Sequence, residues 1–508
     1  MSNAATTWFI VADHAGAGIL NVIPQGEHLR VLSRQQLLDD PGIRFAAQDK
    51  VCITSETVLE LVLQRWDDPQ RCHAVEQLKN KVSSRQLLQG MFPNLYFKPI
   101  KLSDLPTQQL DPSKKYFVKP VKGYWGSGGR MLQGKMDLSA VVRDIEQELT
   151  RKVSIFSDKV LSTEDFLIEE FIEGEEYAAD MFFDAEGKPV ITNICHHPIP
   201  DNKAYLHVVY YTTHEIYQDL HDKLVVFFTE MNKTLQAKSL PLHGEFRFYK
   251  DQFIPIELNP LRYGSDGLSD LSFHAFGLDP FACFANDIRP DWQKLWRGKE
   301  SKVFAFYIGY NGTAVDVSQY RPDYRGFRAL FSNIISDLAL DYQHQLAFSV
   351  VYIEEDSVER IYELLNVEFS GFFIQKKKYS EASLRELYRC GVEMRIPAGT
   401  MIWREGDLGD YLLLILQGNI EAFVSDRDQR EVVLDDLQAG STLGELSALD
   451  GLPRSASARA KTDCVCIRIY AHVFRKLISR VPDILEDLFW QQVVRVREMD
   501  RKLVGKAP

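Results

Sequence analysis

At 508 residues, 45% of them hydrophobic and 26% charged, the chain is too long for one core and has the composition of three or four soluble globular units. Its 59 Lys and Arg against 71 Asp and Glu give a formal net charge of −12, which argues against a nucleic-acid surface, since that needs a basic stripe. No apolar run approaches the roughly 18 residues that cross a bilayer, and seven scattered cysteines fit buried, reduced thiols in a cytoplasmic protein.

Trp8-Phe-Ile-Val-Ala and Val51-Cys-Ile-Thr read as buried strands, and Ser55 caps the helical stretch Glu56-Thr-Val-Leu-Glu-Leu-Val-Leu. Strands alternating with helices predict a parallel α/β unit over residues 1–75. No G-x-G-x-x-G follows the first strand, so no dinucleotide site is placed there. A helix is predicted through Leu78–Leu88, with Lys81 near its start. Next, a strand carries Lys119, a loop holds Gly126, Ser127, Gly128 and Gly129, and a second strand begins at Arg130. Glycines let backbone N–H groups approach phosphate oxygens, and a lysine on the adjoining strand adds a point charge. Phe166–Asp184 reads as strand, hinge and strand, carrying Glu169, Phe171, Ile172 and Glu176.

Two alternating runs, His243-Gly-Glu-Phe-Arg-Phe and Ile256-Glu-Leu-Asn-Pro, are joined by the turn-like Tyr249-Lys-Asp-Gln. That pattern predicts a hairpin, with Glu245, Glu257 and Asn259 on strand faces able to converge. Two carboxylates and an amide are hard oxygen ligands of the kind Mg²⁺ takes. An exposed acidic hairpin is the alternative.

In this order, the pieces resemble the ATP-grasp superfamily of carboxylate–amine ligases over residues 1–290, about half the chain. The resemblance implies that Lys81 and Lys119 hold ATP phosphates while Gly126, Ser127, Gly128 and Gly129 close over them. Glu169, Phe171 and Ile172 then line the adenine pocket, Glu176 meets the ribose, and Glu245, Glu257 and Asn259 bind Mg²⁺ or Mn²⁺. It implies an acyl phosphate attacked by an amine, with Arg262 on the substrate carboxylate or acyl phosphate and His243 beside the first metal acid. This chain inserts Leu261 between Asn259-Pro and Arg262, which can turn the arginine elsewhere. No Met-Lys-Met biotinyl acceptor occurs. The substrates expected are a small-molecule carboxylate, from an amino acid or small peptide, and an amine; a purine-type ligase stays open.

Residues 301–378 show strand, helix and strand signals and are expected to form a small α/β connector. Short strands punctuated by glycine follow, leading into Gly444-Glu445-Leu446 and Arg454-Ser455. A helix opening at Gly444 offers N–H groups to an anion, Glu445 suits a ribose hydroxyl, and Arg454 suits a phosphate. Residues 379–508 resemble the cyclic-nucleotide-binding domain of the catabolite activator protein and of regulated kinases and channels. The resemblance implies Glu445 on the ribose 2′-hydroxyl, Arg454 and Ser455 on the cyclic phosphate of cAMP or cGMP, and help from the Gly444 and Leu446 backbones. No helix-turn-helix follows, and Met499 and Asp500 stand where the activator reads adenine. Leu485, Phe489, Gln492, Val496, Met499 and Leu503 recur at coiled-coil spacing, which suggests a homodimer or packing on the protein's own barrel.

The expected fold is therefore multidomain α/β (ATP-grasp), divided 1–75, 76–300 and 301–378. A β-roll or jelly-roll domain with a long terminal helix completes it at 379–508. The expected function is a Mg²⁺-dependent ligase gated by a cyclic nucleotide, cAMP being favoured by Ser455; the alternative is a non-catalytic nucleotide sensor.

Overall fold

The computed structural model describes residues 5–11, 26, 28–123, 128–152, 162–199, 208–312, 315–317, 319–375, 381–425, 431–482, 484–485 and 488–489. The chain divides into two compact units, Met1–Ile374 and Gln375–Pro508. The fold class read from the sequence holds: a mixed α/β first unit and an all-β second unit with flanking helices.

In the first unit, β1 (Thr7–Val11) lies between β2 (Leu29–Ser33) and β3 (Lys50–Ile53), all parallel. Ser55 accepts from the Thr57 N–H and caps a short turn, Glu56–Val58, that delivers Glu56 just past the end of β3. The helix expected through 78–88 is instead two helices, Pro69–Lys79 and Lys81–Leu87. Asn80 breaks it with extended backbone, and its side chain accepts from the Val82 and Ser83 N–H groups, restarting the helix as an N-cap. Lys79 and Lys81 are consequently both buried.

A four-stranded antiparallel sheet follows, in the order β4 (Phe97–Lys101), β7 (Asp165–Glu170), β5 (Lys115–Pro120), β6 (Arg130–Gln133). Ile145 and Leu149 of the helix Leu138–Lys152 pack on Phe166 and Ile168 of β7. The largest sheet has eight strands. It contains β8 (Glu175–Phe183), β9 (Pro189–His196), β10 (Val209–Thr213), β11 (Leu240–Tyr249), β12 (Gln252–Pro260) and β13 (Val303–Tyr310). Their order is β12-β11-β8-β9-β10-β13, then Ala347–Glu355 and Asn333–Ala339, so β12 is an outer strand. Residues 301–378, read as a small α/β connector, supply three strands to this sheet. The helix Val358–Leu365 buries Ile361 and Leu364 in the same core cluster as those strands. The helix His214–Leu235 packs Leu220, Leu224, Phe228 and Met231 against Met181, Ile194 and Phe246 of the sheet.

Two backbone positions shape the site. Gly174, at the hinge between β7 and β8, has φ +111°, and a Cβ there would run into the Phe248 carbonyl. Gly174→Ala is expected to destabilise the unit by about 2 kcal/mol or more, read as a lowered melting temperature. Leu261 is fully buried at φ +67°. Its N–H donates to Pro241 O and its carbonyl accepts from Ile53 N–H, both at 2.8 Å, so the inserted leucine ties the end of β12 to the end of β3.

In the second unit, one antiparallel sheet runs Val392–Ile396, Cys464–Tyr470, Tyr411–Gln417, Thr442–Leu443. The other runs Met401–Trp403, Ser457–Ala460, Ile420–Ser425, Glu431–Leu437. Leu413, Ile415, Ile420, Ala458 and Cys466 form the core of this sandwich. Leu412, Leu414, Ile467 and Ile469 instead meet Leu387, Phe474, Leu477, Ile484 and Leu488 from the flanking helical segments. Ile484 and Leu488 are buried there, while Leu485 and Phe489 are 47% and 60% exposed. The remaining seam residues Gln492, Val496, Met499 and Leu503, and Asp500, lie outside the described residues.

Candidate active site and effector site

Strand β11 sits between β8 and β12, and its register assembles the first site. Glu245 is opposite Glu257 and Ala178, while two residues away His243 is opposite Asn259 and Asp180. Residues two apart share a face, so both rows point the same way. A bulge after Glu245 ends this pattern, with Phe246 opposite Pro255. Asp180 Oδ1 accepts from His243 Nδ1 (2.8 Å) and from Gly264 N–H (2.7 Å). His243 Nε2 lies 3.5 Å from Glu245 Oε1. Burial opposes charge on His243, yet Asp180 and then Glu245 outweigh it and push the imidazole up to about 9.

The cations of the site are each paired with an acid. Lys81 Nζ is 2.9 Å from Glu257 Oε1. Burial alone would raise the Glu257 carboxyl, but Lys81 and Lys79 hold it down to about 2. Lys119 Nζ is 2.5 Å from Glu169 Oε1, and Arg85 Nε is 2.8 Å from Glu169 Oε2. Lys119 and Arg85 also donate to the Ile256 carbonyl at 3.1 and 3.2 Å. Burial lowers Lys119 to about 8 against the pull of Glu169. Lys79 pairs with Glu56, and Arg262 donates to Glu56 Oε1 through Nε (3.1 Å) and Nη2 (3.0 Å). With its amide turned to suit these neighbours, Asn259 donates to Glu56 Oε1 (3.0 Å) and accepts from Arg262 (3.2 Å).

The structure therefore sets His243, Glu245, Glu257 and Asn259 in neighbouring rows of one sheet, with Lys81 at Glu257, Arg262 beside Asn259, and Lys119 with Glu169 at the Ile256 carbonyl of the outer strand. It adds Glu56, Lys79, Arg85 and Asp180, which the sequence reading missed. Arg85 lies one helical turn beyond Lys81, and Glu56 just beyond the carboxyl end of a parallel strand; both are readable signals. Arg262, expected on a substrate carboxylate, is held by Glu56. The Glu169 side chain, expected beside adenine, faces Lys119 and Arg85.

Glu176 is buried between His197 Nδ1 (2.7 Å) and Arg247 Nη2 (2.8 Å). Arg247 also donates to Gly174 O at 2.9 Å and lies 5.9 Å from the Phe171 ring centre. Phe171 and Ile172 are half-buried. His196 contacts Tyr211 and Glu175, away from the Glu245 row. Gly128 has φ +71° and Gly129 precedes β6; Gly126 and Ser127 lie outside the described residues. Among the described residues, no three His, Cys, Asp or Glu side chains are arranged to hold a metal by themselves. Nor is any helix among them long and apolar enough to cross a membrane.

In the second unit, Gly444, at φ +85°, caps the short helix Glu445–Asp450. Glu445 is buried, while Leu446 and Ser455 are exposed. Arg454 is only 3% exposed, and its guanidinium donates to Gly444 O (3.0 Å) and Tyr411 O (2.7 Å). It lies 3.9 Å from the centre of the Trp403 ring. A Cβ on Gly409 or Gly444 would collide with it, so these two glycines shape its cradle. Its hydrogen bonds among the described residues go to carbonyls, not to a carboxylate, which leaves the buried charge suited to an anion. Cyclic-nucleotide binding is expected to change tryptophan emission, and Trp403→Phe to remove that change; titration of both proteins with cAMP and cGMP checks it.

Residues 113–270 match the family model described as ATP-grasp domain, and residues 393–481 the one described as cyclic nucleotide-binding domain. A cyclic nucleotide-gated potassium channel from Rhizobium etli is 32% identical over 112 residues, 22% of this chain and 30% of the channel. The cAMP-activated global transcriptional regulator CRP of Salmonella typhimurium is 32% identical over 110 residues, 22% of this chain and 52% of CRP. The match thus spans about half or less of these curated relatives. Among solved structures, the Thermus thermophilus catabolite activator protein aligns over 24% of this chain and 58% of its own, at 30% identity and TM-score 0.23. The L-amino acid ligase from Bacillus licheniformis aligns over 74% of this chain and 99% of its own, at 16% identity and TM-score 0.49. The chain carries an ATP-grasp domain followed by a cyclic nucleotide-binding domain.

Proposed function

We propose that the chain is a cytoplasmic, Mg²⁺-dependent, ADP-forming carboxylate–amine ligase regulated by a cyclic nucleotide, cAMP by preference. Its small-molecule substrates are an amino acid or small peptide and an amine, with no role for nucleic acid, and the terminal helix is the route to a homodimer. The observation that carries this reading is the pair of in-register rows, Glu245–Glu257 and His243–Asn259, reached by Lys81.

Glu245, Glu257 and Asn259 are oxygen donors that fit Mg²⁺, whose remaining positions go to water and phosphate. When bound, the metal neutralises phosphate charge during phosphoryl transfer. Lys81 and Lys119 hold the ATP phosphates under the loop containing Gly126, Ser127, Gly128 and Gly129. Phe171, Ile172 and the Glu169 backbone hold adenine, and Glu176 the ribose. His243, fixed through Nδ1 by Asp180, orients Glu245. A substrate carboxylate oxygen attacks the γ-phosphorus and ADP leaves; an amine nitrogen then attacks the acyl carbon and phosphate leaves. Glu445 takes the cyclic nucleotide's ribose, and Arg454 with Ser455 and the Gly444 and Leu446 backbones takes its phosphate. Coupling between such sites is typically ~1–3 kcal/mol, about 5–150-fold in affinity.

The test is ADP release from Mg²⁺-ATP across amino acids, dipeptides and other carboxylates, with and without cAMP or cGMP. Release that depends on a carboxylate and responds to a cyclic nucleotide supports the proposal. ATP binding with no ADP under any condition would instead identify a nucleotide sensor.

A further inference from the structure

Strand β8 opens with two consecutive acids, Glu175 and Glu176, and β9 ends on His196 with His197 directly after it. Successive residues of a strand point to opposite faces, so each acid meets one histidine. Glu176 Oε1 is 2.7 Å from His197 Nδ1 on the face that carries Glu245, and Glu175 Oε2 is 3.0 Å from His196 Nε2 on the other. On that second face the contacts continue. His196 Nδ1 is 2.7 Å from the Tyr211 hydroxyl of β10, which is hydrogen-bonded in turn to Tyr362. Tyr362 belongs to the helix Val358–Leu365, the last α-helix of the first unit before Gln375 opens the second. Tyr177 stacks on the His196 ring, with 4.8 Å between ring centres. His196 and Tyr211 are buried, and the chain surfaces at its two ends, Glu175 and Tyr362.

Burial lowers the His196 imidazole against the pull of Glu175. A neutral ring has one donor and a carboxylate can only accept, so Nε2 carries the hydrogen and Nδ1 accepts from the Tyr211 O–H. The links therefore run in one direction, each polarising the next. Plain apolar packing also serves on this face, since Val209, two residues before Tyr211, packs in one cluster with Ile361 and Leu364 of the helix. A buried polar chain does something more. It fixes one placement of the helix relative to β8, because a shift of either leaves buried donors or acceptors unmet. Its near end stands between Gly174, the hinge at φ +111°, and Glu176, so whatever displaces Glu175 displaces both.

We infer that the chain Glu175–His196–Tyr211–Tyr362 couples the cyclic-nucleotide site to the ATP site, a shift of the helix Val358–Leu365 acting through it on the Gly174–Glu176 segment. The inference rests on the cyclic-nucleotide regulation proposed above, and names the side chains through which that regulation reaches the nucleotide pocket.

Full-length wild type, Tyr362→Phe and Tyr211→Phe are titrated calorimetrically with Mg²⁺ and a non-hydrolysable ATP analogue, with and without saturating cAMP or cGMP. The reverse titrations, cyclic nucleotide with and without the analogue, must give the same affinity ratio by linkage. Wild type is expected to show a ratio of about 5-fold or more, in either direction, and both variants to bring it close to one. Tyr362→Phe removes one half-exposed hydroxyl far from either ligand, so its affinity for each ligand alone is expected to stay within about 2-fold of wild type. Thermal melts check that both variants are folded. A ratio that Tyr362→Phe keeps at the wild-type value overturns the inference and leaves the regulation standing, as does a variant that binds both ligands more weakly at an unchanged ratio. A wild-type ratio of one overturns the inference together with the regulation on which it rests.

Discussion

Glu257→Gln is expected to lower ADP release by about 10³-fold, the scale on which removal of one positioned electrostatic group slows an enzyme. Glu257 stands directly opposite Glu245 and one alternation from Asn259, so an amide there takes a full charge out of the oxygen set. It also leaves Lys81, 2.9 Å away and largely buried, without its acid. Breaking a buried pair costs about 3–5 kcal/mol. The assay is therefore run with a thermal melt, and with cyclic-nucleotide binding as the control on the second unit. A folded variant retaining more than a tenth of wild-type turnover would take the metal role away from Glu257. Release restored by excess Mn²⁺ would instead place the defect in metal affinity.

Arg454→Ala is expected to weaken cyclic-nucleotide binding by about 10²-fold and to abolish any response of the ligase to cAMP or cGMP. The guanidinium is already desolvated, stacked over Trp403 and held by the carbonyls of Gly444 and Tyr411. Its charge is therefore pre-positioned, and an arriving phosphate gains charge-assisted bonds without paying to order the side chain. Arg454→Lys should recover little, because an ammonium cannot reach both carbonyls and present a flat, bidentate edge. Equilibrium binding of a fluorescent cyclic nucleotide measures the first effect, and ADP release the second. A response that survived Arg454→Ala unchanged would remove the second domain from control of the first.

The hairpin of the candidate site was legible because strand alternation is a two-residue code. Once His243-Gly-Glu and Glu257-Leu-Asn were read as paired strands, their shared face followed. Arg454 and Glu445 were legible for a similar reason, being set by a short local cassette around a helix start. Other features depended on contacts between distant residues. Leu78-Lys-Asn-Lys-Val reads as continuous helix, and only the side chain of Asn80, accepting from Val82 and Ser83, shows the break that turns Lys79 and Lys81 inward. Glu56 looks like an ordinary first-turn acid until Arg262, 206 positions later, is beside it. The insertion of Leu261 was visible, but not that two backbone hydrogen bonds hold it at positive φ and turn Arg262 toward Glu56. The strands of residues 301–378 carry no recognisable chemistry of their own, so completing the ligase and transmitting a signal were both open until their pairing placed them in the large sheet.

The position of β12 at the end of that sheet has a further consequence, for solubility. An outer strand offers backbone carbonyls with no strand to receive them, and such edges recruit other chains. Ile256, on that outer strand next to Glu257, accepts at its carbonyl from Lys119 and Arg85. The side chains that neutralise Glu169 thus also cover one open carbonyl on the margin of the sheet. Substitutions of Lys119 or Arg85 by small apolar residues are therefore expected to produce self-association as well as weak ATP binding. Activity lost in such variants belongs beside a measurement of their oligomeric state.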